Sequence, residues 1–334
     1  MTGGVPARGS LRSRGAAAIS GYTLRPITSV IPPERAWGLW LSRQIIARIM
    51  GTFGPSLAGT RVEPVDTRLP DGRRVKGEWV YGPRTPTSET ERSSTTAGAI
   101  YYVHGSGYAV CSPKTHRRLT SWLSSLTGLP VFCIDYRLAP KHRFPTAADD
   151  VRAGWDWLVD TCGLQPKHIV IAGDSAGGHL SVDLLLQPGV EHPAAMVLFS
   201  PLYDLTFELA LARERIRPDP ATSAANAVRL VGLYHSGIDP THQRLTLHVA
   251  NGPALPPTLI QAGGAEMLQE DARQLAIDIQ TAGGRCELQI WPHQVHVFQA
   301  LPRMTPEAAK AMAYVARFIA HALQDARALA EEAR

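Results

Sequence analysis

The sequence predicts an α/β fold in which a mostly parallel central sheet is flanked by helices. Short continuous apolar runs alternate with helical segments along most of the chain, which is typical of buried parallel strands covered on both faces. One such run, 169–172, leads directly into a Gly-x-Ser-x-Gly turn and then into an apolar helical stretch. With 334 residues, of which 44% are hydrophobic and 19% charged, the chain can bury a large core.

The apolar runs predict the order of the elements. Strands are expected at 62–69, 75–81, 99–103, 131–134, 169–172, 196–199, 258–261 and 286–291. Helices are expected at 114–126, 147–159, 180–186, 267–281 and 306–323. The turn signal Pro70-Asp71-Gly72 separates the first two strands and makes them a hairpin.

The alternation breaks at 201–250, where short helical patches are separated by many Pro and Asp residues. We interpret this stretch as an inserted helical cap. Residues 21–59 are expected to form the N-terminal part of the cap, and residues 60–200 and 251–334 one catalytic domain. The helix expected within 21–59 carries Trp37 and Trp40 in an apolar stripe. Such a stripe is usually a core face, and the alternative is that the two tryptophans line an apolar ligand pocket.

Residues 1–20 are expected to be a disordered basic arm. The N-terminal segment carries Arg8, Arg12, Arg14 and Arg25, with no acidic residue before Glu34. A flexible basic arm is the simpler interpretation, and peripheral contact with an anionic membrane surface is the alternative.

Composition excludes several classes of function. The net charge of +5 and the pI near 9.1 come from dispersed basic residues, and no nucleic-acid-binding motif is present. No apolar run is long enough to span a membrane, and no segment has the pattern of a signal peptide, so a cytoplasmic location is expected. The four cysteines contain no C-x-x-C pair, and we expect them to be buried packing residues in a reduced compartment.

The Gly-Asp-Ser-Ala-Gly turn at 173–177 makes Ser175 the candidate nucleophile. A sharp strand-to-helix turn needs residues without side chains at its flanks, and Gly173 and Gly177 supply them. Such a turn holds the serine hydroxyl above the sheet and aims the next backbone N–H, that of Ala176, at a developing oxyanion.

A serine hydroxyl needs a base, and the base needs an orienting acid. In a fold of this type the three groups come in the chain order Ser, acid, His. Glu266 follows the strand 258–261 at the turn into a helix, whereas Glu270 and Asp271 already lie on that helix and are poorer candidates. His293 and His296 both follow the strand 286–291. This His-x-x-His pair has no helix or third ligand nearby to favour a metal, so no metal is expected.

The loop 104–107 after the third strand supplies the remaining oxyanion donors. Its glycines allow the backbone to turn its N–H groups inward, and those of Ser106 and Gly107 would act with that of Ala176. The serine side chain leaves the N–H of residue 106 in place.

Four ordered motifs resemble the hormone-sensitive-lipase-like family of α/β-hydrolase carboxylesterases over residues 60–323. The motifs are His104-Gly105-Ser106-Gly107; Asp135-Tyr136-Arg137-Leu138-Ala139-Pro140 with Phe144, Pro145, Ala147 and Asp149; Gly173-Asp174-Ser175-Ala176-Gly177-Gly178; and His296-Val297-Phe298. The resemblance implies an α/β-hydrolase fold without a cofactor that cleaves esters of short to medium acyl chains. It also implies that residues 135–149 brace the site.

By the same resemblance Ser175 is the nucleophile, His296 the general base and Glu266 the orienting acid. Ser106 stands where the family usually has glycine, and Glu266 where aspartate is commoner. Two alternatives stay open, a non-catalytic small-molecule receptor of the same fold and an amidase. The substrate, a choice between esterase and true lipase, and the oligomeric state, including a homodimer, also stay open.

Overall fold

An eight-stranded sheet runs through the middle of the molecule and confirms the predicted fold class. The computed structural model describes residues 4–85, 98–239 and 241–332. The strand order is β1-β2-β4-β3-β5-β6-β7-β8. Strand β2 runs antiparallel to both of its neighbours, β1 and β4, and all the other neighbouring strands pair in parallel. The strands are β1 Arg61–Arg68, β2 Arg74–Tyr81, β3 Ala99–Val103, β4 Val131–Ile134, β5 Ile169–Asp174, β6 Ala195–Phe199, β7 Thr258–Gly263 and β8 Cys286–Trp291.

Helices flank the sheet. They are α1 Leu11–Val30, α2 Ala36–Phe53, α3 Pro113–Thr127, α4 Thr146–Asp156, α5 Ala176–Leu186, α6 Glu208–Ile216, α7 Ala224–His235, α8 Gln269–Thr281 and α9 Glu307–Glu332. Strands β3 to β6 are buried along their whole length. They separate two clusters of buried apolar side chains, one on each face of the sheet. Burial on both faces explains why these strands have continuous rather than alternating apolar sequences.

The strand β5 and the helix α5 meet at a turn that only glycine can fill on its inner side. A Cβ atom on Gly177 would lie 2.0 Å from the carbonyl oxygen of Val103 in β3, and one on Gly173 would lie 2.8 Å from the carbonyl oxygen of Gly177. The two glycines therefore allow α5 to start directly against the sheet, as the Gly-x-Ser-x-Gly spacing predicts.

The N-terminal segment differs from the disordered arm that we expected for residues 1–20. Residues 1–3 lie outside the described part of the chain, but α1 begins at Leu11. The Ser10 side chain caps this helix by accepting from the Ser13 N–H, and the Ser10 N–H and the Ser13 hydroxyl both donate to Glu307 in α9. This correction has a tertiary cause, because the carboxylate that anchors the helix lies almost 300 residues away in sequence.

The helix α1 is joined to the 201–250 insertion by polar contacts. Arg25 forms an ion pair with Glu214 at 2.7 Å, and its guanidinium also donates to the backbone carbonyl of Asp219. The Asn226 side chain donates to the carbonyl of Thr28 at 2.7 Å. Two segments far apart in sequence thus contact each other.

Two expectations about apolar residues were wrong. Trp37 and Trp40 lie mostly in solvent, so the stripe on α2 is not wholly a core face, because only part of this helix packs against α3. Among the cysteines, Cys111 and Cys133 are buried and Cys286 is partly buried, but Cys162 is exposed because it follows the last turn of a surface helix. Within the described residues, no helix is both long and apolar enough to cross a membrane.

The fit of Gly177 predicts a specific loss of stability. We expect Gly177→Ala to lower the free energy of unfolding by about 1–3 kcal/mol or more, because α5 must move away from β3. Gly232→Ala is the matched control, since a Cβ in that helix meets no atom within 4 Å and should be neutral or stabilise by up to about 1 kcal/mol. Urea unfolding of both variants tests this, and equal stabilities would contradict the tight approach of α5 to β3.

Candidate active site

Ser175 occupies a strained backbone position at the end of β5. Its φ is +51° and its ψ is −122°, a combination that non-glycine residues rarely adopt. The Ser175 N–H donates to the carbonyl of Phe199 at 3.0 Å, and its carbonyl accepts from the Leu202 N–H at 3.0 Å. These bonds on both sides hold the turn, and the residue remains partly open to solvent.

His296 and Glu266 form the closest polar contact in this region. The imidazole Nδ1 lies 2.5 Å from the Glu266 Oε2, and the glutamate side chain is fully buried whereas 31% of the imidazole is exposed. The second carboxylate oxygen, Oε1, accepts from the N–H of Gly263 at 2.6 Å. Since Glu266 is held at both oxygens, its contact with Nδ1 fixes the orientation of the imidazole.

The segment 200–202 brings the serine and the histidine to the same place. Its Leu202 N–H donates to the carbonyl of Ser175, and its Ser200 hydroxyl accepts from the Val297 N–H at 3.0 Å. Val297 is the residue after His296. Ser175 and the His296 loop are therefore both hydrogen-bonded to one three-residue segment at the carboxyl edge of the sheet.

Charges around His296 favour its protonated form. Burial works to lower the pKa of this imidazole, but the charge of Glu266, its hydrogen bond and the charges of Asp219 and Asp174 outweigh burial and raise the pKa above its ordinary value. The raised pKa means that the folded protein binds this proton more tightly than the unfolded chain. His296 thus contributes stability below pH ~6.5 that is lost as the pH rises through its folded pKa.

The alternative acids and the alternative histidine have other partners. Glu270 lies on α8 near Arg273, and the buried Asp271 accepts from the N–H groups of Tyr203 and Asp204. Burial raises the pKa of Asp271 to about 7. The His293 Nδ1 accepts from the Gly9 N–H at 3.4 Å. Of the candidates that follow β7 and β8, the structure brings together Glu266 and His296.

Three backbone N–H groups stand near the nucleophile without a hydrogen-bond acceptor in the described parts of the chain. They belong to Ser106, Gly107 and Ala176. Ser106 and Gly107 have φ values of +112° and +56°, and Ala176 begins α5. Successive residues in such conformations and a helix N-terminus both present N–H groups to an anion. This arrangement can bind a developing oxyanion.

The Ser106 side chain is turned away from these donors. Its Oγ accepts from the Cys111 N–H at 2.9 Å, and its carbonyl accepts from Ala109 and Val110. The hydroxyl therefore closes the turn that follows the loop. This hydrogen bond stabilises a serine at a backbone φ that glycine adopts more easily.

Asp174 is a buried residue to which the sequence reasoning gave no role. Its Oδ1 accepts from the Gly105 N–H at 3.0 Å and from the Tyr102 hydroxyl at 2.7 Å, and its Oδ2 lies 3.2 Å from the His116 Nε2. Burial works to raise the pKa of Asp174, but His116 and Tyr102 outweigh it and lower the pKa. The carboxylate thus ties the loop 104–107 to the elbow, by which we mean the turn 173–177 between β5 and α5. An acid between a buried strand and the nucleophile is the signal that could have indicated this.

Asp219 in the insertion is a second residue that sequence reasoning missed. It is buried, its Oδ2 accepts from the Met267 N–H at 2.8 Å, and its Oδ1 accepts from the Ala221 N–H at 2.7 Å. Met267 is the residue after Glu266. Asp219 therefore holds the acid-bearing loop from the side of the cap, and no spacing in the sequence connects the two.

The segment 135–149 contacts the loop 104–107 through Tyr136. The Tyr136 hydroxyl donates to the carbonyl of His104 at 2.8 Å, and the Tyr136 ring stacks on the His104 imidazole. Burial lowers the pKa of His104 to about 4, so this imidazole is neutral near neutral pH. Arg137 forms a bidentate ion pair with Asp150.

A parallel sheet with a strained serine after its central strand and a glutamate–histidine pair at the same edge defines the α/β-hydrolase class. A family model described as alpha/beta hydrolase fold matches residues 100–300. The chain belongs to this family, and within it to the hormone-sensitive-lipase-like branch that the sequence motifs indicate.

Known proteins share most of the chain. The Mycobacterium tuberculosis esterase LipU is 37% identical over 237 residues, which cover 68% of this chain and 79% of LipU. The carboxylesterase/phospholipase LipF of the same organism is 34% identical over 70% of this chain and 65% of its own length. A solved esterase from the bacterial hormone-sensitive lipase family superposes with a TM-score of 0.77, at 28% identity over 93% of this chain and 97% of its own.

Two substitutions separate the effect of the Ser106 side-chain hydrogen bond from the effect of the Ser106 backbone conformation. Ser106→Ala keeps the unfavourable φ and loses the hydrogen bond to Cys111, so we expect a loss of about 0.5–1.5 kcal/mol in the free energy of unfolding. Ser106→Gly loses the same bond but relaxes the backbone, and it should be more stable than the alanine variant. Denaturant unfolding compares the two, and an alanine variant equal to or above the glycine variant would rule out strain at this position.

Proposed function

We propose that the protein is a serine carboxylester hydrolase that works through an acyl-enzyme intermediate. The observation that carries this proposal is the short bond between the buried Glu266 and His296, on a loop that is hydrogen-bonded to the same segment as Ser175. Relatives named esterase, carboxylesterase and acetyl-hydrolase support the reaction class.

In the proposed mechanism the Ser175 Oγ attacks the ester carbonyl carbon while the His296 Nε2 takes the hydroxyl proton. Glu266 keeps the other proton on Nδ1 and stabilises the imidazolium that forms. The N–H groups of Ser106, Gly107 and Ala176 donate to the oxyanion of the tetrahedral intermediate. His296 then gives its proton to the leaving alcohol, and a water molecule repeats the sequence to release the acid and free Ser175.

The substrates that we propose are esters of short to medium acyl chains. One relative, from Streptomyces hygroscopicus, is named an acetyl-hydrolase and is 34% identical over 70% of this chain and 79% of its own length. LipF carries phospholipase in its name. Rates for a series of p-nitrophenyl esters of increasing acyl length, measured below and above their solubility, distinguish an esterase from a lipase.

A non-catalytic receptor of the same fold is the competing function, and an amidase is a third. A receptor does not need a base held by an acid, so the paired His296 and Glu266 favour catalysis. An amidase uses the same groups and differs in its leaving group. Parallel assays with matched esters and anilides separate the two hydrolases.

Removal of the proposed nucleophile tests the mechanism. We expect Ser175→Ala to lower kcat/KM for p-nitrophenyl butyrate by about 10⁴-fold or more, because no other hydroxyl can form the acyl-enzyme. The matched control is Ser181→Ala, six residues further along the chain in α5, whose hydroxyl donates to the carbonyl of Gly177. The control should retain activity within a few-fold. Comparable rates in both variants would remove Ser175 from the mechanism.

The pH profile tests the pairing of His296 with Glu266. The base must be neutral to take a proton, so kcat/KM should fall as the pH decreases through an apparent pKa above ~6.5. Glu266→Gln removes the charge that raises this pKa and presents an amide N–H₂ to Nδ1, which stabilises the wrong tautomer. We expect a rate loss of about 10³- to 10⁴-fold and an acid limb at lower pH.

Two other carboxylates provide the comparison for this profile. The charge of Asp219 also raises the pKa of His296, whereas Glu270 lies beside Arg273. Asp219→Asn should shift the acid limb in the same direction but with a smaller loss of rate, because it acts through charge and through the loop. Glu270→Gln should leave the acid limb of the pH profile unchanged. A limb that stays unchanged in Glu266→Gln, or that moves in Glu270→Gln, would mean that the acid is misassigned.

A further inference from the structure

The N-terminal helix α1 presents five large apolar side chains to solvent, and polar side chains on its other face attach it to the protein. Leu11, Ile19, Tyr22, Ile27 and Val30 are all exposed, with Tyr22 87% and Ile19 65% accessible. At 3.6 residues per turn these five side chains fall within an arc of about 160° on one face. A surface helix of a water-soluble protein normally has the reverse arrangement.

The opposite face of α1 carries the polar contacts that attach it to the rest of the molecule. Ser13 is buried against Glu307, Arg25 pairs with Glu214, and Thr28 donates to the carbonyl of Ala221. The orientation of the helix is therefore fixed by specific bonds. Because these bonds fix the orientation of α1, its large apolar side chains face outward.

The next helix, α2, also has exposed apolar side chains. Trp37 and Trp40, one turn apart at the start of α2, are 59% and 60% exposed. Tryptophan and tyrosine prefer the boundary between lipid and water, where the ring is buried and its polar atom stays hydrated.

The positive charge of residues 1–40 indicates what kind of surface would bind them. Residues 1–40 contain five arginines and one glutamate, and so carry four of the five net positive charges of the whole chain. Arg8 and Arg12 are exposed, and neither they nor Arg14 form an ion pair within the described residues. The single acid, Glu34, pairs with Arg229. Two copies joined through this face would bring like charges together, whereas an anionic lipid surface would neutralise them.

We propose that the exposed face of α1, with Trp37 and Trp40, binds the surface of anionic lipid membranes. The apolar side chains would insert at the headgroup boundary while Arg8 and Arg12 contact lipid phosphates. Because α1 is bonded to the insertion that carries Asp219, bound lipid lies against the cap. Binding in this way would deliver esters from the membrane to the site. That consequence for catalysis rests on the proposed function.

Vesicle flotation of the full chain tests the proposal. The probes are vesicles of phosphatidylcholine alone and of equal parts phosphatidylcholine and phosphatidylglycerol. We expect the protein to bind the anionic vesicles at least about tenfold more tightly, because each arginine near an anionic surface contributes about fivefold. Ile19→Ser combined with Tyr22→Ser should weaken this binding about tenfold, and Arg8→Gln with Arg12→Gln should abolish the preference for anionic lipid.

The matched control combines Ile277→Ser with Leu329→Ser, which removes two exposed apolar side chains on α8 and α9. It should bind like the unaltered protein. All variants should unfold at the same temperature and hydrolyse a dissolved short ester at the same rate. If the unaltered protein does not hydrolyse the dissolved ester, the proposed function is refuted, but the test of lipid binding is unaffected.

Three results would each overturn the lipid proposal. The first is equal binding of neutral and anionic vesicles, and the second is equal binding by the Ile19/Tyr22 variant and the unaltered protein. The third is a dimer in sedimentation velocity that the Ile19/Tyr22 variant loses, which would assign this face to a second copy of the chain.

Discussion

The hydrogen bond between Glu266 and His296 is the contact on which the candidate site depends. It joins the loop after β7 to the loop after β8, and it requires the glutamate to be buried with both oxygens occupied. A buried carboxylate without such partners would be strongly destabilising. The neighbouring bonds of Gly263 and Val297 can therefore be understood as the framework that keeps one acid and one base in register beside Ser175.

A second buried carboxylate serves the other half of the site. Asp174 precedes the nucleophile and accepts from Gly105, so the loop with the free N–H groups cannot shift without breaking a bond to the elbow itself. Ser106 closes the same loop from its far side through Cys111. The proposed nucleophile and the proposed oxyanion donors are thus parts of one rigid unit, and preorganised donors of this kind act without reorganising during the reaction.

The sequence predicts the parts of this molecule that depend on local pattern. Strands β3 to β6 are continuous apolar runs because both faces of the sheet are covered, and the elbow is visible because Gly173 and Gly177 are sterically required. The helix α1 was missed because Glu307, from the other end of the chain, anchors it. Asp219 was missed for the same reason, since its link to Met267 exists only in three dimensions.

The central claim is that Ser175, His296 and Glu266 act as one catalytic unit, and double-mutant kinetics test it most directly. The measurement is kcat/KM for a soluble ester in Ser175→Ala, His296→Ala and the double variant. If the residues act together, the double variant should be about as slow as Ser175→Ala alone, because the second substitution removes a group with nothing left to activate. Losses that multiply in the double variant would show that the two side chains act independently, and would contradict the claim.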